Sequence, residues 1–394
     1  MEGLQDSKDR EMPLDIDLFC EVIDNYGDAG VCWRLARQLA SERHCHVRLW
    51  IDRLPVIQKI CPAIDAGLER QTVNQVDICV WKPDMVPADI DQVPDVVIEG
   101  FGTRLPDSYL DQMAAKAVKP VWINLEYLSA ESWVDSTHLM KSPHPRLPLT
   151  KYFYFPGFTG KTGGLIREAG LVESAVGFQS DRKNAMAFLS SLGVVCREEQ
   201  FIVSLFCYPL APVQQLLETL SRSEQPVLCL IPEGTASQGV EQFIHQQPKA
   251  GTCFKDGALT VQILPVIEQS RYDRLLWVSD LNFVRGEDSF VRAQWAGRPF
   301  VWHIYPQEEN AHLDKLDAFM ALYQQGLTEG GQQAFRRFWK QWNSCEGQGG
   351  FTESWAGFSA ILPELKQYAG IWRKKLTEQP DLATGLVRFV DSLR

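Results

Sequence analysis

Residues 16–51 read IDLFCEVIDNYGDAGVCWRLARQLASERHCHVRLWI. The first eight (16–23) are apolar on both faces of an extended chain and predict a strand. DNYGD follows as a tight turn. AGVCWRLARQLASE (29–42) then places Val31, Leu35 and Leu39 on one helical stripe, with Arg34 and Arg37 beside it, and HVRLWI (46–51) predicts a second strand. Strand, helix and strand, with strands apolar on both faces, mark a parallel sheet covered by helices on both sides.

The alternation continues outward from this unit. VDICVW (76–81), PDVVIEGF (94–101) and PVWINLEYL (120–128) predict three more strands. Residues 141–180, dense in Pro, Gly and aromatics (KSPHPRLPLTKYFYFPGFTGKTGG), read as loops. Strands are then predicted at FIVSLFCY (201–208), PVLCLI (226–231), LTVQILP (259–265), LNFVR (281–285) and PFVWHIY (299–305), with helices at 211–222, 236–246, 268–277 and 287–296. From Asn310 the pattern is mostly helical. Two α/β lobes of similar size result, with a loop-rich join near 170–195 and a helical tail. The expected organisation is two facing doubly wound, Rossmann-like domains with a cleft between them: residues 14–175, residues 176–368, and a C-terminal 369–394 that packs back on the first. In open α/β sheets the ligand sits at the carboxyl ends of the strands.

Composition narrows the function classes. The chain has 394 residues, 45% hydrophobic and 23% charged, with a net charge of −11. That is an ordinary folded composition, and the acidity argues against nucleic-acid binding, which relies on Lys and Arg neutralising phosphates. No run of 18 apolar residues marks a membrane span. The polar start MEGLQDSKDREMP lacks the basic and apolar parts of a secretory signal. Ten cysteines, none in a C-x-x-C pair and most in apolar runs, predict a reducing, cytoplasmic location. His44-Cys45-His46 has no second ligand pair nearby, so turn residues are the better reading than zinc.

Two strand ends carry candidate chemistry. In the first lobe Asp24 and Asp28 bracket a turn, Asn25-Tyr26-Gly27, at a strand's carboxyl end. Gly27 and Gly30 permit a sharp turn and a close approach. Asp28 reads equally as a helix N-cap and Asp24 as an Asx-turn residue. The G-x-G-x-x-G spacing is missing and two acids would repel a pyrophosphate, so the turn suits a cation or a proton. In the second lobe LNFVR runs into Arg285-Gly286-Glu287-Asp288-Ser289 and a helix. A glycine before a helix start offers N–H groups to an anion, Arg285 adds a fork of donors, and Ser289 has one more hydrogen bond to give. Glu287 suits a sugar hydroxyl. The alternative is a capping cluster with a solvated charge pair. Tyr305 and Gln307, after the next strand, are placed for a diphosphate or sugar, or else lie on the rim.

Three lookalikes fail. Asp15-Ile16-Asp17 and Asp89-Ile90-Asp91 fit D-x-D, but neither follows a nucleotide-binding strand end. Gly160-Lys161-Thr162 resembles the end of a P-loop, yet Phe155 stands where that motif needs glycine. A G-x-S-x-G elbow is absent.

DLFCEVIDNYGDAGVCWRLARQLA, NLEYLSAESW, HLMKSP, YFYFPGFTGKTGGLI and above all RGEDSFVRAQWAGRPFVWHIYPQEENAHLDKL resemble the bacterial elongation factor P arginine rhamnosyltransferase family, EarP, from about residue 16 to the end. The resemblance implies a GT-B glycosyltransferase fold. It implies inverting transfer of L-rhamnose from dTDP-β-L-rhamnose to an arginine of elongation factor P, activating that factor for polyproline translation, with no metal or other cofactor. It assigns the acceptor to the first lobe and the nucleotide sugar to the second. The family's acids match Asp24, Asp28 and Glu287, and its donor-binding positions match Tyr208, Gln269, Tyr272, Arg285, Asp288, Ser289 and Tyr305. Val266 departs from the family's phenylalanine near the thymine, which leaves Tyr272 to supply the aromatic face. With the resemblance, Asp28 is expected as the base and Asp24 as its orienting partner. The competing readings are another GT-B nucleotide-sugar enzyme (an epimerase or a small-acceptor transferase) and a non-catalytic two-lobed binding protein. Two acids are seldom needed for a neutral hydroxyl, and a two-lobed binding protein would normally carry a signal peptide.

Overall fold

The computed structural model describes residues 13–394 except 25, 83, 85–91, 236, 308–309 and 344–349. Asn25, the polar N-terminal stretch, the second D-x-D and Cys345 lie outside the described residues. The chain divides into two units, residues 1–169 with 379–394, and residues 170–378. The first crossing falls at 169/170 rather than the expected 175/176, and the return at 379 rather than 369. The helix Leu362–Thr377 belongs to the second unit, where the buried Trp372 donates from Nε1 to Gln294 Oε1 at 2.9 Å. Among the described residues no helix is long and apolar enough to cross a membrane.

Among the described residues the first unit is built on eight strands: β1 Asp15–Cys20, β2 His46–Ile51, β3 Arg70–Val73, β4 Val76–Val80, β5 Val96–Gly100, β6 Val121–Leu125, β7 Lys141–Pro143 and β8 Thr150–Tyr154. Their order is β3-β4-β2-β1-β5-β6-β8-β7, parallel except for the two edges, where β3 runs against β4 and β7 against β8. Cys20 is level with Gly100, and Gly100 with Leu125, so the chain leaves β1, β5 and β6 at one edge. Leu18 and Cys20 on one face of β1 and Phe19 on the other are all fully buried, as expected of a strand covered by helices on both faces.

Three readings are corrected here. Residues 141–180 are not all loops, since β7, β8 and the helix Leu171–Gln179 lie within them. The strand TKYFY is short and flanked by Pro and Gly, which hid it. The join at 170–195 is not loop-rich but holds two helices, Leu171–Gln179 and Arg182–Ser191. Asp181 caps the second by accepting the Lys183 N–H at 2.8 Å. The first strand ends at Cys20, not residue 23, and its helix starts at Tyr26, not residue 29.

The last helix, Leu382–Ser392, packs on the Tyr26–Arg43 helix. Leu382, Ala383, Leu386 and Val390 enter the first unit's core. Asp381 accepts the Thr384 N–H at 3.0 Å as a cap and a bond from Gln38 Nε2 at 3.1 Å, which ties the tail down.

Among the described residues the second unit has six strands: β9 Phe201–Leu205, β10 Val227–Pro232, β11 Cys253–Asp256, β12 Leu259–Leu264, β13 Leu281–Arg285 and β14 Phe300–His303. The order is β11-β12-β10-β9-β13-β14, parallel except for the edge strand β11. β13 lies between β9 and β14, with Phe283 level with Leu205 and Arg285 level with His303.

Candidate active site

In the first unit the acidic turn fills the gap between β1 and its helix. Asp28 stands in the first helical turn, so it is not the N-cap. Instead its carboxylate reaches back, as the acid of a capping box does. Oδ2 accepts the N–H groups of Ile23 and Asp24, both at 2.8 Å. Oδ1 accepts the Tyr127 hydroxyl at 3.2 Å. Asp28 is 2% exposed, a buried carboxylate held by three donors. The Gly27 N–H donates to the Asp24 carbonyl at 2.6 Å. A Cβ on Gly27 would lie 2.7 Å from Asp24 Oδ2, so glycine leaves room for that carboxylate. Tyr26, Gly27 and Asp24 are half-buried. Glu21 and Val22 donate their N–H groups to Thr103 Oγ1 at 3.0 Å and Asp52 Oδ1 at 2.9 Å, which anchors the approach to the turn.

Asp17 of the first D-x-D is fully buried in β1. Arg48 binds it with Nε at 2.6 Å and Nη2 at 2.8 Å, and Tyr109 donates its hydroxyl. Burial still holds its carboxyl above the usual range. It is a core ion pair and has no open face for a metal or diphosphate.

In the second unit the groups collect at the carboxyl ends of β9, β13 and β14. The Arg285 guanidinium lies over Phe206, 4.4 Å from the ring centroid, and over Tyr208 at 4.8 Å. Two aromatic faces thus hold its plane. Tyr208 meets Tyr305 edge-on, with centroids 5.4 Å apart. Tyr208 is buried, whereas Tyr305 is 41% exposed. Gly286 has φ of +56°, the left-handed region that favours glycine. Its carbonyl accepts Trp302 Nε1 at 2.8 Å, and the Trp302 ring stacks on Phe290 at 3.9 Å.

The helix Asp288–Ala296 follows, with Glu287 half-buried at its cap position. Asp288 Oδ2 accepts Gln269 Nε2 at 3.1 Å, which links this helix to Gln269–Val278. The buried pair Arg292–Asp273, bidentate at 2.7 and 2.8 Å, braces the same two helices. The Tyr272 hydroxyl is buried without a hydrogen-bond partner among the described residues. Burial and the charge of Asp288 push it above the ordinary phenol range. An orphaned buried hydroxyl beside Arg285 and Asp288 suits a ligand group.

Ser289 does not offer its O–H outward as expected. The hydroxyl donates to the Arg285 carbonyl and accepts the Arg285 N–H at 2.9 Å. Its one donor hydrogen is used to close the β13–helix turn, and what remains can only accept. Gln307 donates its N–H to His312 Nδ1 at 3.0 Å, which fixes the loop after β14. Val266 is 42% exposed.

His303 was not singled out from sequence. It is 3% exposed, and its Nδ1 accepts the Tyr208 N–H at 3.1 Å. Burial, with the charge of Arg285 adding to it, pushes the imidazole down to about 3. The ring is therefore neutral and able to accept. Because the unfolded ring titrates near 6.5, the unfolded chain binds more protons between the two values, so stability rises with pH through that window and falls on acidification below about 6.5. The expected slope is up to ~1.4 kcal/mol per pH unit. Urea melts of the second unit between pH 7 and pH 4 should show it, and His303→Gln should flatten it. An equal slope in that variant would mean the imidazole is not the source.

The sequence-predicted residues thus form two groups. Asp24, Tyr26, Gly27 and Asp28 lie together in the first unit. Tyr208, Gln269, Tyr272, Arg285, Gly286, Glu287, Asp288, Ser289 and Tyr305 belong to the second. Tyr127, Phe206, His303 and Trp302 join them through strand order, which no local pattern reveals. A groove of about 900 Å³ in the second unit lies elsewhere, at the amino ends of β9 and β10, lined by Glu198, Glu224, Asp280 and Lys366. It is on the wrong edge of the sheet for the usual ligand position.

The model of the Elongation-Factor P (EF-P) rhamnosyltransferase EarP family matches residues 16–391. The protein-arginine rhamnosyltransferase of Pseudomonas putida is 45% identical over 374 residues, covering 95% of this chain and 97% of the relative. A solved structure concerned with EarP-mediated arginine glycosylation of translation elongation factor EF-P superposes with a TM-score of 0.69 at 34% identity, covering 96% of this chain and 99% of the other. The Anabaena protein HepE in complex with UDP-glucose, 10% identical with a TM-score of 0.51, shares the fold over 96% of this chain and 99% of its own. These neighbours are GT-B glycosyltransferases.

Proposed function

This chain belongs to the elongation factor P rhamnosyltransferase family, and from that premise we propose that it transfers L-rhamnose from dTDP-β-L-rhamnose to one arginine side chain of elongation factor P, with inversion at the sugar carbon and without a metal ion. The observation that supports this most directly is the buried Asp28 carboxylate. Its Oδ2 is committed to two backbone N–H groups, while Oδ1 keeps a lone pair beside a single hydroxyl.

A guanidinium stays protonated at any physiological pH and is a poor nucleophile. Asp24 and Asp28 together bind it and orient one nitrogen. As that nitrogen bonds to the sugar carbon, its proton passes to Asp28 Oδ1. The bond from the sugar carbon to the diphosphate oxygen breaks on the opposite side, and the electron pair leaves with dTDP. Positioning for in-line attack supplies much of the rate.

The leaving diphosphate gathers negative charge. Arg285, the Tyr305 hydroxyl and the N–H groups at 287–290 meet it, so the cation at this step is a side chain. Gln269 and Asp288 frame the same corner, Glu287 grips a sugar hydroxyl, and the Tyr272 and Tyr208 rings serve the nucleotide. The modified factor is the one used for polyproline translation, which places the reaction in the cytoplasm.

Incubation with dTDP-rhamnose and elongation factor P, read by intact mass, tests the proposal. A gain of one deoxyhexose on the factor is the expected result. Nucleotide binding with no change in the factor would favour a small-acceptor transferase or an epimerase.

A further inference from the structure

We infer that Tyr127 is a positioning residue of the transfer step, holding Asp28 Oδ1 where it receives the acceptor's proton. The inference rests on the proposed reaction but is tested separately from it.

Tyr127 follows β6, Phe101 follows β5, and Asp28 follows β1. These three strands are neighbours in register, so their carboxyl ends bring the three residues together. The Tyr127 ring stacks on Phe101 with centroids 4.5 Å apart and planes 17° from parallel. Its hydroxyl reaches Asp28 Oδ1 at 3.2 Å.

Phe101 is itself set with care. Its φ is +58°, a left-handed conformation that is strained for a residue other than glycine. The conformation is held by the Phe101 N–H on the Leu125 carbonyl at 2.7 Å, and by the Gly102 N–H on Asn124 Oδ1 at 3.1 Å. A strained backbone that aims one ring at another is a costly way to build a mere surface contact.

The division of work on Asp28 sharpens the point. Two rigid backbone donors fix Oδ2, which still leaves the carboxylate free to tilt about them. The Tyr127 hydroxyl is the side-chain donor on Oδ1. With its ring clamped, it removes the tilt. When Oδ1 gains the proton, a hydroxyl can also turn from donor to acceptor, so the contact survives the change. Tyr127 takes no proton from the substrate and forms no bond to it.

Tyr127→Phe keeps the ring and removes only the hydroxyl. The expected result is a kcat about tenfold lower, with KM for dTDP-rhamnose and for elongation factor P within about twofold of wild type and the melting temperature unchanged. Phe101→Leu keeps the hydroxyl and loosens the clamp, and should lower kcat about threefold in the same manner. Unchanged kcat in both variants, a loss confined to KM, or a loss that tracks the melting temperature would overturn the inference. Failure of the wild-type chain to modify the factor would instead overturn the proposed reaction, so the two outcomes are distinct.

Discussion

Asp28→Asn is expected to abolish rhamnosyl transfer, lowering kcat by about 10³-fold or more, in the range that a positioned general base supplies. The asparagine carbonyl oxygen can still accept the Ile23 and Asp24 N–H groups that Asp28 Oδ2 accepts now. The turn therefore keeps its shape, and what is lost is the negative charge and the place for a proton. Binding of dTDP, measured by calorimetry, should stay near the wild-type value, because the residues proposed to hold the nucleotide are in the other unit. If transfer and nucleotide binding disappear together, Asp28 serves folding and another group is the base.

Arg285→Ala is expected to weaken dTDP-sugar binding about 10- to 100-fold, the cost of losing a charge-assisted hydrogen bond of about 1.5–3 kcal/mol. Phe206 and Tyr208 lose the guanidinium that lies over them. Arg285→Lys should be intermediate, since an ammonium keeps the contact with the rings and loses the planar fork. Unchanged donor affinity in the alanine variant would remove Arg285 from the site. Titration with dTDP followed by tryptophan fluorescence is a convenient assay, because Trp302 is bonded to the adjacent Gly286 carbonyl.

The core of the fold was legible because buried parallel strands announce themselves. The apolar runs HVRLWI and LNFVR coincide residue for residue with β2 and β13. The antiparallel edge strands were not legible. RQTV, KSP and CFKD are short and largely exposed, with no apolar run to mark them. The start of the helix at Tyr26 is hidden because an acid before an apolar stripe looks like a cap, whereas Asp28 stands inside the helix and reaches backward. On the candidate site, Arg285 to Ser289 form one continuous block, so a sequence motif can nominate them together. Tyr127 and His303 could not be assigned roles, because each acts on a residue from a different strand. Their roles depend on which strands are neighbours, and strand order is not written in any local pattern. Ser289 shows the converse: a hydroxyl in the right motif can be spent on the backbone next to it.

The chain's return at 379 has a practical consequence for anyone who cuts the gene. The unit that carries Asp24 and Asp28 is completed by the final sixteen residues of the polypeptide, which supply Leu382, Leu386 and Val390 to its interior. An expression fragment stopping at Ala169 would leave the core residues that these side chains pack against bare and sticky. Deleting the tail of the full-length protein would damage the half of the molecule that begins at the other terminus. A stand-alone version of this half calls for the 379–394 peptide to be spliced directly after Ala169 or supplied in trans.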